Sequence, residues 1–290
     1  MLTAQGHQVI ILSRKHKTSI DKNVTYARWD VKGQSIDADA IKGADYIFHL
    51  AGEGIADKRW TAARKRAITD SRVESSKLLI KGLREFPNKV KAVISASAIG
   101  WYGDDSRLSK KQTFTEENPP DNSFLGETCR LWEESIEPVQ TLNVRLVKLR
   151  LGIVLSTDGG ALAEFMKPVR FGVAGVIGSG KQIISWIHIE DLCRLFVYAM
   201  RHDSLQGVYN AVAPTPVTNK QLTITLAQKI KGKFFIPVHV PAVVIKIMLG
   251  ELSIEVLKST SVSSKKLLLE GFDFLYSNID SALDNIVKPI

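Results

Sequence analysis

The stretch GHQVIILSR, residues 6–14, decides how this chain is read. Gly6 marks the end of a helix, where a residue without Cβ can turn the chain. Val9, Ile10, Ile11 and Leu12 follow as an unbroken apolar run, the pattern of a strand buried on both faces of a parallel sheet. Ser13 and Arg14 then stand at the strand's carboxyl end, the edge of an open parallel sheet where ligands bind. A hydroxyl and a guanidinium at that edge suit the 2'-phosphate of NADP through charge-assisted hydrogen bonds. A turn serine and a solvated arginine after any buried strand fit the same residues.

Outward from this stretch, strand and helix patterns alternate. Residues 24–29 form a second strand and residues 44–50 a clearer third one, ending in Ala51 and Gly52. Residues 61–86 carry Ile68, Val73, Leu78, Leu79 and Leu83 among many charges, as in a long surface helix over a sheet. Strands are expected at 90–95 and 144–151, with a helix at 124–136 before Pro138. This alternation predicts an α/β fold with a parallel sheet. Residues 162–171 read as a helix. Residues 172–180 are glycine-rich, but VAGVIGSGK lacks the spacing and final hydroxyl of a phosphate loop and reads as a flexible wall of a substrate cleft. Beyond it, helices are expected at 189–202 and 219–232, a strand at 208–212, and largely helical chain at 242–257 and 259–269. A final helix starts near Asn278 or Asp280.

Composition narrows the function classes. A chain of 290 residues with 44% hydrophobic and 8% aromatic residues suits a folded protein of one to two domains. Its apolar stretches are too short to span a bilayer, and Lys246 interrupts residues 240–249, so no membrane partner is expected. The start lacks the basic segment, apolar core and cleavage site of a signal peptide. Cys129 and Cys193 fit neither a disulfide framework nor a closed metal site, which points to a reducing, cytoplasmic setting. The net charge of +9 is spread along the chain, without finger spacing or an aromatic-rich basic repeat. An anionic cofactor or small-molecule substrate accounts for it better than nucleic acid. Oligomeric state is left open.

Several further stretches carry a resemblance: HLAG at 49–52, DKRW at 57–60, Ser71 with Arg72, SASAIGWYGD at 95–104 and WEE at 132–134. LRLGIVLSTDGGAL at 149–162 and GVIGSGKQIISWIHIED at 175–191 extend it, and PAVVIKIMLGE at 241–251 with GFDF at 271–274 carry it into the tail. The chain resembles the uncharacterised epimerase family, a YfcH/SDR39U1-like atypical group of short-chain dehydrogenase/reductases. The resemblance implies an NAD(P)-binding Rossmann-like parallel sheet with a small C-terminal lobe. It divides the chain into an epimerase-like NAD(P)-binding domain at 1–160, remaining sheet and cleft segments at 161–235, and a helical tail at 236–290.

Members of that family begin with a strand and a TGGTGFIG-type turn whose backbone donors meet pyrophosphate. This sequence starts inside the helix that follows such a turn. The first strand and turn are therefore expected to be absent, leaving the 1–160 domain N-terminally incomplete and NADP binding weak. The superfamily's YxxxK pair is also missing, because aligning the helix that ends at Trp132 and Glu133 puts Leu125 and Cys129 at its positions. Neither can do the work of the tyrosine or the lysine.

The resemblance assigns Ser13 and Arg14 to the NADP-selective strand end. It brings the backbone of Leu50 and Ala51 near adenine or ribose, with Gly52 letting the chain pass the dinucleotide closely. Arg72 is expected to face phosphate or the cleft, although a lone helix arginine is also simply solvated. Val154 lines the nicotinamide side. Ser97 and Tyr102 are the candidate catalytic hydroxyls, Ser97 donating to a substrate carbonyl and Tyr102 serving as acid/base or packing as an aromatic. Trp186, His188 and Asp191 mark the junction with the second lobe, where His188 either titrates or holds its loop. No metal site is expected. The implied function is an NADP-dependent oxidoreductase or epimerase acting on a small carbonyl, alcohol or nucleotide-sugar-like substrate. The alternatives are a non-enzymatic NADP-binding or redox-sensing protein and a structural remnant.

Overall fold

The computed structural model describes residues 1–15, 17–108 and 112–287, so the end of the 236–290 tail lies outside the described residues. A 3-10 turn at Thr3–Gln5 ends at Gly6, whose φ of +82° is the left-handed conformation that glycine adopts freely. The chain then runs through β1 (Val9–Ser13), β2 (Val24–Asp30), β3 (Ser35–Ile36), α1 (Ala38–Gly43), β4 (Tyr46–His49), α2 (Ala62–Glu85), β5 (Ala92–Ala98), α3 (Phe124–Ile136) and β6 (Arg145–Leu151). It continues through β7 (Ile153–Leu155), α4 (Gly160–Arg170), β8 (Val173–Ile177), β9 (Ile183–Ile184), β10 (Trp186–His188), α5 (Ile189–Arg201), β11 (Gly207–Ala211), β12 (Val217–Thr218), α6 (Asn219–Lys231) and β13 (Ile236–Val240). Four short helices close it, α7 (Ala242–Leu249), α8 (Ser253–Leu257), α9 (Lys265–Leu269) and α10 (Ile279–Ile286).

Strands β11, β6, β5 and β4 form, in that order, a parallel sheet. Alternation along β5 turns Ala92, Ile94 and Ala96 toward the Leu195 and Phe196 side of α5, while Val93 packs with Leu79 and Leu83 of α2. Helices thus cover both faces, and the fold is Rossmann-like α/β with added C-terminal helices. Several helices start where the sequence offers a cap: Thr61 Oγ1 accepts from Arg64 N–H before α2, Ser123 caps α3 and Asn278 caps α10. A separate core gathers Leu162, Val169, Trp186, Leu222, Leu226 and Leu283 in the C-terminal lobe.

The opening stretch needs one correction. β1 is a parallel strand as expected, paired with β2, yet Ile10 and Ile11 are each 39% exposed. Among the described residues β1 pairs only with β2 and β4 only with β5, so each keeps one unpaired edge. β1 belongs to the β1–β2–β3 sheet and not to the four-stranded sheet whose faces the helices cover.

Three other segments differ from expectation. The glycine-rich 172–180 stretch contains β8, which pairs in parallel with β13. Within 242–257 the helix breaks at Gly250, whose φ is +59°. Residues 259–263 are extended rather than helical. Thr260 N–H donates to Ile183 O at 3.1 Å and Phe114 N–H to Ser261 O at 2.8 Å, so tertiary backbone pairing outcompetes helix formation there. The carboxylate of Asp191 holds the tail to α5, accepting from the backbone N–H groups of Leu275 and Tyr276 at 2.9 Å each.

Candidate functional site

The carboxyl ends of β1 and β4 carry the residues expected to meet a cofactor. Ser13 closes β1 and its Oγ accepts from Lys15 N–H at 3.3 Å. Arg14 follows, exposed, with no hydrogen bond or ion pair from its guanidinium among the described residues. After β4 the chain leaves regular structure at Leu50, which is exposed, and passes through Ala51 and Gly52.

The side chains of α2 pin this loop. Arg64 donates to the Glu53 carboxylate at 3.0 Å, Ser71 Oγ accepts from Glu53 N–H at 2.9 Å, and Arg72 Nη1 donates to Glu53 O at 3.1 Å and Ile68 O at 2.9 Å. The Arg72 guanidinium lies 5.0 Å from the centre of the Trp132 ring, a cation–π distance. A Cβ on Gly52 would stand 3.0 Å from Arg72 Cζ. The missing side chain at 52 therefore has a local cause that the sequence did not reveal: it admits the arginine. Arg72 is half-buried and bonded rather than freely solvated. Val154 lies on β7, opposite Ile187 of β10, half-buried against the main core.

The hydroxyl pair lies deeper than expected. Alternation on β5 puts Ser97 on the face covered by α3, where its Oγ donates to Glu133 Oε1 at 2.7 Å. Lys148 and Arg150 alternate on β6 toward that same face. Arg150 Nε and Nη2 donate to the two Glu133 oxygens at 2.7 and 3.1 Å, and Lys148 Nζ stands 3.9 Å away. The Tyr102 hydroxyl donates to Asn210 Oδ1 at 2.7 Å and accepts from Arg150 Nη1 at 3.0 Å. Arg150 also sits 3.6 Å from the centre of the Trp101 ring, and Tyr102 stacks on Phe114 with centroids 5.0 Å apart.

Ser97, Tyr102, Glu133, Arg150 and Asn210 are all buried. Burial pushes the Tyr102 phenol up to about 12 despite the lowering effect of Arg150. Of the two roles open to Tyr102, packing is the one this geometry serves. Ser97 gives its proton to a carboxylate inside the protein rather than presenting it to a carbonyl outside. Next to this network, Leu125 and Cys129 pack at Gly100, with Sγ 3.5 Å from where a Cβ on that glycine would stand. Burial, reinforced by Glu133, raises the Cys129 thiol to about 12, which leaves it protonated and unreactive near neutrality.

Two buried groups were missed by inspection of the sequence. Glu133 lies within the WEE triplet, and its role follows from Lys148 and Arg150, since charges at alternate positions of an otherwise apolar strand require a buried partner. His49 is the other. Its Nε2 is 3.1 Å from Ser76 Oγ, and both Ser75 and Ser76 donate their own protons to Arg72 O, so the network puts the imidazole proton on Nε2. Burial depresses the His49 pKa to about 4.

At the lobe junction, His188 Nδ1 accepts from Glu190 N–H at 3.0 Å and caps α5, and its ring lies 3.9 Å from that of Tyr276. Burial lowers its pKa, opposed by Asp191 and Glu190. The loop-holding role is thus occupied. Trp186 is a core residue whose indole N–H donates to Thr215 O at 3.0 Å. No metal-binding group is found among the described residues.

The exit of β1 offers donors that could hold an anionic group. Arg14 offers a guanidinium with no partner among the described residues and Ser13 a hydroxyl at a parallel strand's carboxyl end. Among the described residues no glycine-rich turn joins a strand of the main sheet to a helix at this edge.

The model of the NAD dependent epimerase/dehydratase family matches residues 1–211, and that of a domain of unknown function, DUF1731, matches residues 240–286. The epimerase family protein YfhF of Bacillus subtilis is 34% identical over 288 residues, spanning 99% of this chain and 92% of the relative. The crystal structure of human epimerase family protein SDR39U1 with NADPH superimposes with a TM-score of 0.84 at 28% identity, covering 98% of this chain and 92% of that one. A nucleoside-diphosphate sugar epimerase from Corynebacterium glutamicum gives a TM-score of 0.75 at 31% identity, covering 98% of this chain and 54% of that one.

Proposed function

This chain belongs to the NAD-dependent epimerase/dehydratase family, and from that membership we propose that it is an NADP-dependent oxidoreductase or epimerase acting on a small carbonyl, alcohol or nucleotide-sugar-like compound. The observation that carries the cofactor choice is the Ser13–Arg14 exit of β1, where an exposed guanidinium without a partner among the described residues follows a hydroxyl. A 2'-phosphate satisfies both groups and a bare ribose hydroxyl does not. The human relative solved with NADPH supports the same choice.

Bound NADP supplies hydride transfer to or from a carbon bearing oxygen. The chain's part is to hold and orient it. The backbone of Leu50, Ala51 and Gly52 runs beside adenine or ribose, and Arg72, braced by two carbonyls and Trp132, faces the phosphate side of the cleft. Val154 gives the nicotinamide an apolar wall. Ser97 and Tyr102, the candidate catalytic hydroxyls, donate to Glu133 and Asn210, so proton transfer by either would require that bond to be released.

That engagement, with Leu125 and Cys129 at the proton-transfer positions, favours a second reading: NADP binding or redox sensing without turnover. Calorimetric titration with NADP and NAD, beside nicotinamide absorbance on a panel of carbonyls, alcohols and nucleotide sugars, tests both readings. NADP-selective binding with turnover supports the enzyme, and selective binding without turnover the sensor. Equal binding of NADP and NAD removes the Arg14 argument.

A further inference from the structure

The C-terminal lobe carries apolar surface that the fold leaves uncovered. Ile236 of β13 is 68% exposed, and Ile247 and Met248 of α7 are 69% and 64% exposed. Phe171 and Phe234 reach 88% and 87%. Phe171, Phe234 and Ile236 are neighbours through pairing as well as sequence, since Ile236 N–H donates to Gly172 O at 2.8 Å and brings the start of β13 alongside Phe171, and α7 follows the other end of β13. In α7, Val243, Val244, Ile247 and Met248 are exposed while Ile245 is buried, so the outward face repeats apolar side chains at the helical spacing. Apolar surface grouped in this way marks an interaction site, whereas single exposed leucines or valines do not.

The unpaired charge around this surface has one sign among the described residues. Residues 231–250 contain Lys231, Lys233 and Lys246 and no aspartate or glutamate. Arg170 adjoins Phe171. None of these four cations makes an ion pair among the described residues, whereas the nearby Glu164 is paired with Lys167 and Glu251 with Lys65.

A second copy fits poorly. A two-fold interface sets the same patch against itself, so the unpaired lysines would meet one another. Adding a strand at the edge of β13 is also blunted. Ile236 N–H and Val240 O both bond toward β8, so by alternation Pro237 and His239 face the free edge, and proline brings no N–H to it.

We propose that this face docks on an anionic lipid bilayer surface, with α7, Phe171 and Phe234 seated among the acyl chains' upper carbons and Arg170, Lys233 and Lys246 at the headgroups. No helix among the described residues is long and apolar enough to cross a membrane, so the contact is superficial. The expectation of no membrane partner rested on span length, which bears on crossing and not on docking.

The test is flotation of the full chain with vesicles of phosphatidylcholine and phosphatidylglycerol in equal parts. Binding is expected at low salt, with roughly tenfold or more lost on pure phosphatidylcholine and release as salt rises. Ile247→Glu should cost roughly tenfold or more, as should Lys233→Glu with Lys246→Glu, while Ile247→Leu keeps binding. All three positions sit at the surface, so unchanged thermal midpoints are expected and verify folding. The proposal is overturned by no flotation with either vesicle, by equal flotation with both, or by a dimer in light scattering that Ile247→Glu dissociates.

Discussion

Replacing Glu133 with glutamine removes the charge that three buried donor atoms of Arg150 and Ser97 converge on. Its carboxylate accepts from Arg150 Nε at 2.7 Å, Arg150 Nη2 at 3.1 Å and Ser97 Oγ at 2.7 Å. Glutamine keeps the shape but turns an N–H₂ toward a guanidinium donor and leaves Arg150 charged in the interior. Breaking a buried pair from one side costs about 3–5 kcal/mol, a large share of the about 5–15 kcal/mol that holds a typical domain folded. Ser97→Ala, which removes one hydrogen bond to a charged acceptor, should cost about 1.5–3 kcal/mol. Because both changes act on one carboxylate, the double variant should lose less than the sum. Urea unfolding followed by circular dichroism measures all three, with exposed Glu134→Gln as the surface control. A loss below about 1 kcal/mol for Glu133→Gln contradicts the reading of this network as structural. So does Ser97→Ala that abolishes turnover at unchanged stability, which would make Ser97 a reacting group.

Arg14→Ala should weaken NADP by about 1.5–3 kcal/mol while changing NAD much less, as measured by calorimetry; equal losses for both nucleotides assign Arg14 a general role. Gly52→Ala pushes a methyl to 3.0 Å from Arg72 Cζ, so chemical denaturation should show a loss of about 1–3 kcal/mol, and unchanged stability means that Arg72 moves away freely. For His49, the folded pKa of about 4 lies below the ordinary 6.5, so folding excludes a proton that the unfolded chain takes up. Its contribution is complete above about pH 6.5, falls as pH drops toward about 4 and is then constant, a change on the order of 3 kcal/mol. Unfolding measured across that range should flatten in His49→Gln, and an identical acid slope in the variant contradicts the assignment.

The α/β order, the approximate bounds of most major elements and the family were legible without coordinates, because they depend on local signals. Residues 124–136 were expected to be helical and α3 spans Phe124–Ile136; a capping serine at 123 and an apolar face at helical spacing are both contained in the segment itself. The same holds for the Gly6 turn and for Ser13 and Arg14 at a strand exit. Tertiary structure decided the rest. Residues 172–180 look like a loop by glycine content, and they become β8 only because β13 supplies a parallel partner in register from Ile236↔Val173 to Val240↔Ile177. Ser97 and Tyr102 look like exposed hydroxyls after a strand, and they are internal because α3 covers one and Asn210, 108 residues from Tyr102, bonds the other. Gly52 looks like a concession to a dinucleotide, but the atom nearest to its missing Cβ belongs to Arg72. Periodicity and caps act over a few residues and are written in the sequence locally. Burial and the pairing of charge depend on which distant element covers a face, and only the folded chain supplies that.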